Sequence, residues 1–221
     1  MEIPKFKDKD LLENAFIHRS YLNENRSWKL GSNERLEFLG DAVLEFVTSK
    51  YLYKTYNKEP EGLLTAYRSS LVKTETLAAL AKELNFGSRL KLSKGEDDSG
   101  GRESEYLLAD TFEAFIGALY LDQGIPACQK FLKETLFPKI EKIIATEAYK
   151  DYKSTLQEIA QEKQNFTPLY KVLSEQGPDH NKTFKISVII RGKQEGVGEG
   201  SSKQRAEVNA ARDALENLNW M

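Results

Sequence analysis

Residues 33–41 read Asn33-Glu34-Arg35-Leu36-Glu37-Phe38-Leu39-Gly40-Asp41. Apolar residues recur at helical spacing from Leu36 to Leu52, which predicts a helix through this stretch. On that helix Glu34, Glu37 and Asp41 are three and then four positions apart, so they share one face. Phe38, Leu39, Val43 and Leu44 make their surroundings apolar. Aligned like charges are unfavourable there, and both desolvation and mutual repulsion raise carboxylate pKa values. A bound cation reverses that balance, because it favours the ionised form.

The same device recurs at Leu107-Leu108-Ala109-Asp110-Thr111-Phe112-Glu113-Ala114-Phe115, where Asp110 and Glu113 are three apart in an otherwise apolar helix. Two such helices packed face to face would bring Glu37, Asp41, Asp110 and Glu113 into one cluster. Four carboxylates without His or Cys suit a hard, oxygen-seeking ion such as Mg²⁺ or Mn²⁺. The plainer alternative is a pair of solvated helix faces. It accounts readily for one acidic pair and less readily for two, each set in apolar helix.

Working outward, residues 1–145 read as mostly helical, with apolar runs at Leu11–Phe16, Leu36–Leu52, Leu71–Leu84, Leu107–Leu121 and Phe131–Ile144. Turn signals separate them at Trp28–Asn33, Asn57–Gly62 and the long polar stretch Ser93–Glu105. Residues 146–150 form a short polar linker. Beyond it comes an amphipathic helix bearing Tyr152, Leu156, Ile159 and Ala160. Strand candidates follow at Leu169–Ser174, Thr183–Ile190 and Gln194–Gly198, with turns at Gly177-Pro178 and Arg191-Gly192. A last helix over 202–218 carries a small-residue stripe of Ala206, Ala210, Ala211 and Ala214. The expected fold is mainly α: an all-helical domain over 1–145, then a small α+β unit of order α-β-β-β-α over 151–221.

Bulk composition constrains function only loosely. Hydrophobic residues are 40% and charged residues 30% of 221, an ordinary globular balance rather than a disordered one. No apolar run approaches the ~20 residues of a membrane helix, and the opening MEIPKFKDKD has no apolar stretch of signal-peptide type. The single Cys128 has no internal disulfide partner. A cytoplasmic protein without membrane contact is expected. Net charge is −2, with ten basic and ten acidic side chains from residue 151 onward. Neither half is basic overall, so an interaction with nucleic acid must rest on local placement of charge.

Asn33–Asp41 (NERLEFLGD) is similar to the signature of the bacterial ribonuclease III endonuclease domain, and Leu108–Asp122 (LADTFEAFIGALYLD) resembles that family's second acidic helix. Ala15–Tyr21 (AFIHRSY), Glu61-Gly62 followed by Arg68 and Leu71-Val72, and Gly100-Gly101-Arg102 agree as well. The resemblance extends over essentially the whole chain. It implies metal-dependent endonucleolytic cleavage of double-stranded RNA, leaving 5′-phosphate and 3′-hydroxyl ends with a short 3′ overhang. Processing of ribosomal RNA precursors and other RNAs is the expected setting. Carried over by position, Glu37, Asp41, Asp110 and Glu113 hold the catalytic metal, with Asp41 and Glu113 the most critical. Glu34 and Glu61 match accessory acidic positions. One or two Mg²⁺ ions, or Mn²⁺ in their place, would activate water for in-line attack on the phosphodiester. Tyr106 stands where the family usually has Ser or Thr, and Ala66 where Lys is common.

The C-terminal half resembles a double-stranded RNA-binding domain, which reads two successive minor grooves and the phosphates between them. Asp151–Glu158 (DYKSTLQE) is similar to its start and offers Ser154, Gln157 and Glu158 to 2′-hydroxyls. Gly177-Pro178-Asp179-His180 resembles the loop that enters the second minor groove, through His180. Gly198–Ala211 (GEGSSKQRAEVNAA) resembles the last-helix motif, with Ser201 or Ser202 as cap and Lys203, Gln204 and Arg205 facing phosphate. Gln204 and Glu207 stand where Lys is often found, and Ser154 where Thr is common. Taken singly, His180, Lys203 and Arg205 are ordinary surface residues, so only the motif raises them. With no net charge in this half, weak standalone affinity and a shallow salt dependence are expected.

Leucine and phenylalanine occupy more faces of the signature helix than one core stripe requires, and surplus apolar surface marks interfaces. The resemblance implies a homodimer through this helix, with one valley and two cleavage sites. Two other function classes compete. A non-catalytic RNA-binding scaffold on the same fold should have lost some of the four carboxylates, and all four are present. A metal-dependent hydrolase of small phosphates leaves the C-terminal module unexplained.

Overall fold

A computed structural model describes residues 2–177 and 182–220. The chain divides into two compact units, Met1–Tyr149 and Lys150–Met221. The first is helical: α1 (Lys9–Asn14), α2 (Arg19–Glu24), α3 (Glu34–Thr55), α4 (Glu61–Val72), α5 (Thr74–Glu83), α6 (Lys94–Asp98), α7 (Glu105–Thr135) and α8 (Lys139–Ala145). Among the described residues no helix is long and apolar enough to cross a membrane.

The long helix α7 is the axis of this unit. Its stretch Ala114–Leu119 is buried on every side, as expected of a helix with neighbours all around. Phe112 and Phe115 join Phe16, Phe86 and Phe131 in one aromatic core, with ring centroids 5.1 Å apart for Phe16–Phe86 and for Phe86–Phe115, and 5.3 Å for Phe115–Phe131. Burying each such side chain stabilises the fold by roughly 1.5–3 kcal/mol. At Gly124 the backbone leaves helical geometry (φ 76°), and Pro126 follows within the same helix. This break separates the last two apolar runs of the helical region. The second of those runs is itself divided, between the end of α7 and α8, with Pro138 as the cap of α8.

Three sequence expectations need correction here. The apolar run Leu71–Leu84 is two helices, because Lys73 adopts an extended conformation (φ −68°, ψ 153°). Glu61 and Gly62, expected in a turn, open α4 directly after Pro60, a position where proline is pre-set to precede a helix. The polar stretch Ser93–Glu105 is an ordered structure rather than a plain loop. Ser93 caps α6 by accepting from the Glu96 N–H at 3.3 Å. Arg102 donates to both Asp97 oxygens at 2.8 and 2.9 Å and to the Gly87 and Leu90 carbonyls at 3.0 and 2.8 Å. That planar fork satisfies four acceptors at once, which is why a sequence lacking apolar periodicity is nevertheless held in place.

The second unit has α9 (Tyr152–Gln164), a three-stranded antiparallel sheet of order β1-β2-β3 (Leu169–Gln176, Thr183–Ile190, Lys193–Gly200) and α10 (Lys203–Asn217). β1 runs two residues longer than its alternation predicts, because a bulge between Val172 and Ser174 resets the pleat. β3 also runs longer than Gln194–Gly198. Its glycines give no alternation to read, yet α10 needs them: a Cβ at Gly198 would lie 2.1 Å from the Ala210 nitrogen. The alanine stripe Ala206, Ala210, Ala211 and Ala214 is fully buried on that sheet. Asn209, Asp213 and Asn217, one helical turn apart, bond to β3 backbone groups at Glu199, Val197 and Glu195. These contacts occupy polar groups of an edge strand. Tyr149, inside the stretch expected as linker, packs edge-to-face on Tyr67 at 4.9 Å.

Candidate active site

Two glycines decide where α3 and α7 touch. A Cβ on Gly40 would stand 1.8 Å from the Glu113 carbonyl oxygen, and one on Gly117 2.1 Å from that of Leu36. The helices therefore meet backbone to backbone. Side chains within a turn of this contact crowd together: Glu37 and Asp41 from α3, Asp110 and Glu113 from α7. All four belong to one electrostatic cluster. Burial pushes the Glu113 carboxyl up to about 8, reinforced by Asp41, Asp110, Glu37 and then Glu45. Glu37 is raised by burial and then by Asp110, Glu34 and Asp41. Asp110 is raised by burial, with the His18 imidazole pulling the other way.

The expected accessory residues fare differently. Glu34 lies in the first turn of α3, where its carboxylate accepts from Ser32 Oγ at 2.7 Å and faces Arg19 at 3.6 Å. Glu61 is exposed at the start of α4 and accepts from Thr65 Oγ1 at 3.1 Å. It is not among the carboxylates that raise Glu37, Asp110 or Glu113. Tyr106 is 74% exposed and so leaves the core of α7 undisturbed, while Ala66 is half-buried on α4.

Sequence reasoning missed three neighbours. Glu45 adds to the field on Glu113 and is held by Arg68 at 2.8 Å, which also donates to Ser49 Oγ at 2.9 Å. His18 and Arg19, with Asn33, line a cavity of about 400 Å³ that reaches Glu37 and Asp110. The motif AFIHRSY carried the signal for both. Asp122, at the end of the second acidic motif, is structural: it accepts from the Lys7 and Asp8 amides at 2.9 Å each.

Four mutually repelling carboxylates, with Glu37, Asp110 and Glu113 half-buried and Asp41 exposed, are donors matched to a hard divalent ion. Among the described residues no three His, Cys, Asp or Glu side chains are already gathered closely enough to hold one. The donor chemistry fits Mg²⁺ or Mn²⁺.

In the second unit Ser154, Gln157 and Glu158 are exposed on α9, opposite the buried Tyr152, Leu156 and Ala160. The Ser154 hydroxyl, however, is engaged with the capping carboxylate of Asp151 at 2.7 Å. Lys203, Gln204 and Arg205 are exposed at the start of α10, capped by Ser202, whose Oγ accepts from the Arg205 N–H at 3.2 Å. Lys203 pairs with Glu175 at 2.9 Å, and Arg205 donates to Ser201 Oγ at 3.1 Å. Glu207 is bound to Lys153 at 2.6 Å, so it ties α10 to α9. His180 lies outside the described residues.

Residues 8–140 match the family model described as ribonuclease-III-like, and residues 152–218 match the double-stranded RNA binding motif. This chain belongs to the ribonuclease III family. It is 49% identical to ribonuclease 3 of Streptococcus gordonii over 97% of this chain and 92% of that one. It is 48% identical to ribonuclease 3 of Enterococcus faecalis over 96% and 92%. Among solved structures, the nuclease domain of ribonuclease III from Campylobacter jejuni matches with a TM-score of 0.54 and 39% identity, over 59% of this chain and 87% of that one. That structure is described as flexible in a region involved in dimer formation. Dicer from Pichia stipitis matches over 98% of this chain and 97% of its own, with a TM-score of 0.50 and 29% identity. The ribonuclease III fold is thus a helical endonuclease domain followed by an α-β-β-β-α module, and the protein is an endoribonuclease.

Proposed function

We propose that this ribonuclease III family member cleaves double-stranded RNA in a Mg²⁺-dependent reaction, leaving 5′-phosphate and 3′-hydroxyl ends, and that it serves the processing of ribosomal RNA precursors and other RNAs. The observation that carries the site is the contact of α3 with α7 at Gly40 and Gly117, beside which Glu37, Asp41, Asp110 and Glu113 cluster. These four would hold the ion, with Asp41 and Glu113 as the most critical and Glu34 and Glu61 in accessory roles. Bound there, Mg²⁺ supplies the positive charge that activates water and stabilises the leaving 3′ oxygen. Half-buried Glu113, its carboxyl raised to about 8, favours its protonated form at neutral pH, and a bound cation would favour the ionised form. Glu37 and Asp110 are shifted in the same direction, each chiefly by burial.

Duplex recognition falls to Gln157 and Glu158 on α9 and to Lys203, Gln204 and Arg205 at the start of α10, with His180 and Ser154 completing the set. A homodimer is supported by α3 itself, which exposes Phe38 (82%), Phe46 (55%) and Tyr53 (74%). Such a dimer gives one cleavage site per strand. The cytoplasm is the fitting compartment for a protein whose single cysteine is a buried free thiol.

The test is incubation of a labelled RNA duplex with the full chain in Mg²⁺ and in EDTA, beside Glu113→Ala and Asp41→Ala. Cleavage in Mg²⁺ only, lost in both variants while duplex binding persists, is the expected result. Duplex binding without cleavage by the folded wild type would move the reading to a non-catalytic scaffold.

A further inference from the structure

The cavity beside the carboxylates does not end at Arg19. A second cavity, of about 460 Å³, is lined by His18, Arg19, Ser20, Asn23, Glu96 and Leu107, and it shares His18, Arg19 and Leu107 with the first. The two cavities adjoin at His18, Arg19 and Leu107, with Glu37 and Asp110 lining the first and Asn23 the second. We propose that His18 and Arg19 form a subsite that grips the RNA backbone as it leaves the carboxylate cluster, through a phosphate next to the scissile one. The assignment rests on the endonuclease reading above and adds a positioning role for two residues.

Three features support it. The described lining is mostly polar and, apart from the His18 imidazole, carries no aromatic ring, so it suits sugar and phosphate more than a stack of bases. Arg19 is a fork of donors matched to phosphate oxygens, and its present partner is weakly held. The Arg19–Glu34 pair is 3.6 Å long, with the two side chains 73% and 54% exposed. Pairs of that kind contribute little. Glu34 keeps the Ser32 hydroxyl at 2.7 Å when Arg19 turns away, so the exchange strands no charge. His18 is fixed from its other side: the Ser20 N–H donates to Nδ1 at 3.3 Å, and Ser20 Oγ lies 2.8 Å from the same atom. With Nδ1 turned to Ser20, Nε2 is the ring nitrogen left to meet the RNA backbone.

The two residues give different signatures. Arg19 neutralises a phosphate charge, so its removal should lessen the slope of log affinity against log salt by about 0.9. His18, as a hydrogen-bond donor to the RNA backbone, is read in KM. The experiment measures KM and kcat for a labelled duplex with the full chain, and equilibrium binding in the Glu113→Gln background across a salt series. Arg19→Ala should raise KM several-fold and flatten the salt slope by about one, equally for duplexes of different sequence. Arg19→Lys should restore the slope and part of the KM. His18→Asn retains a good N-cap for α2 and should raise KM. Arg26→Ala, an exposed charge outside both cavities, is the control for general charge loss. The proposal is overturned if Arg19→Ala and a parallel Glu34→Gln variant lower kcat alike while KM and slope stay put, since Arg19 would then only hold Glu34. It is equally overturned if Arg26→Ala matches Arg19→Ala. Wild-type binding without cleavage would sink the endonuclease reading, while the binding series would still decide the subsite.

Discussion

Gly40 of α3 lies so close to Glu113 of α7 that a single added carbon would sit 1.8 Å from the Glu113 carbonyl oxygen. The residue that carries the most perturbed carboxylate is thus also the one whose backbone the partner helix touches. Gly40→Ala must push the helices apart, and overpacking of this kind costs about 1–3 kcal/mol or more. The expected outcome is a lower urea midpoint together with a loss of Mg²⁺-dependent cleavage larger than the stability change alone would give, because the carboxylates separate. Denaturation and cleavage assays on the same preparation check it.

The pH dependence of stability follows from Glu113. Its folded pKa, about 8, lies above the ordinary carboxylate value, so its protonated form is the one the fold tolerates. The associated stability is fully present below the unfolded pKa of about 4.3 and is lost as pH rises through about 8. Metal-free protein should therefore melt at lower temperature at pH 8.5 than at pH 6. Glu113→Gln should flatten that slope, and Mg²⁺ should raise the melting temperature more at the higher pH. Thermal melts in EDTA and in Mg²⁺ at the two pH values test this.

The aromatic face of α3 leads to an association test. Phe38→Asp places a charge on the most exposed large apolar residue and should leave the buried face of α3 untouched. Sedimentation at micromolar concentration is expected to show the wild type as a dimer and the variant as a monomer. A wild type that sediments as a monomer would remove the dimer from the reading.

Glu207 holds Lys153 where a basic residue would instead face RNA. Glu207→Lys breaks a partly exposed ion pair worth about 1 kcal/mol or less and adds positive charge near the start of α10. Tighter duplex binding with a steeper salt dependence, at a slightly lower melting temperature, is expected. Filter binding over a salt series measures the first effect and a thermal melt the second.

Much of this was legible in the chain. The period of 3.6 residues in Leu36–Leu52 and Leu107–Leu121, the alternation in Thr183–Ile190 and the alanine stripe of α10 follow from local patterning, because each marks a face that must be buried. The carboxylate spacing on α3 and α7 was equally local, and the motifs themselves named the family. Other features were not. Lys73 splitting α4 from α5, the Arg102 clamp that orders Ser93–Glu105, and the run of β3 through Gly196, Gly198 and Gly200 depend on partners far along the chain. So does the site. That Gly40 and Gly117 let two helices touch, that His18 and Arg19 line cavities beside the carboxylates and that Glu45 adds to the field on Glu113 are decided by tertiary packing. Sequence sets the period of a face, but which residues share a dielectric and a distance is settled only when two faces meet.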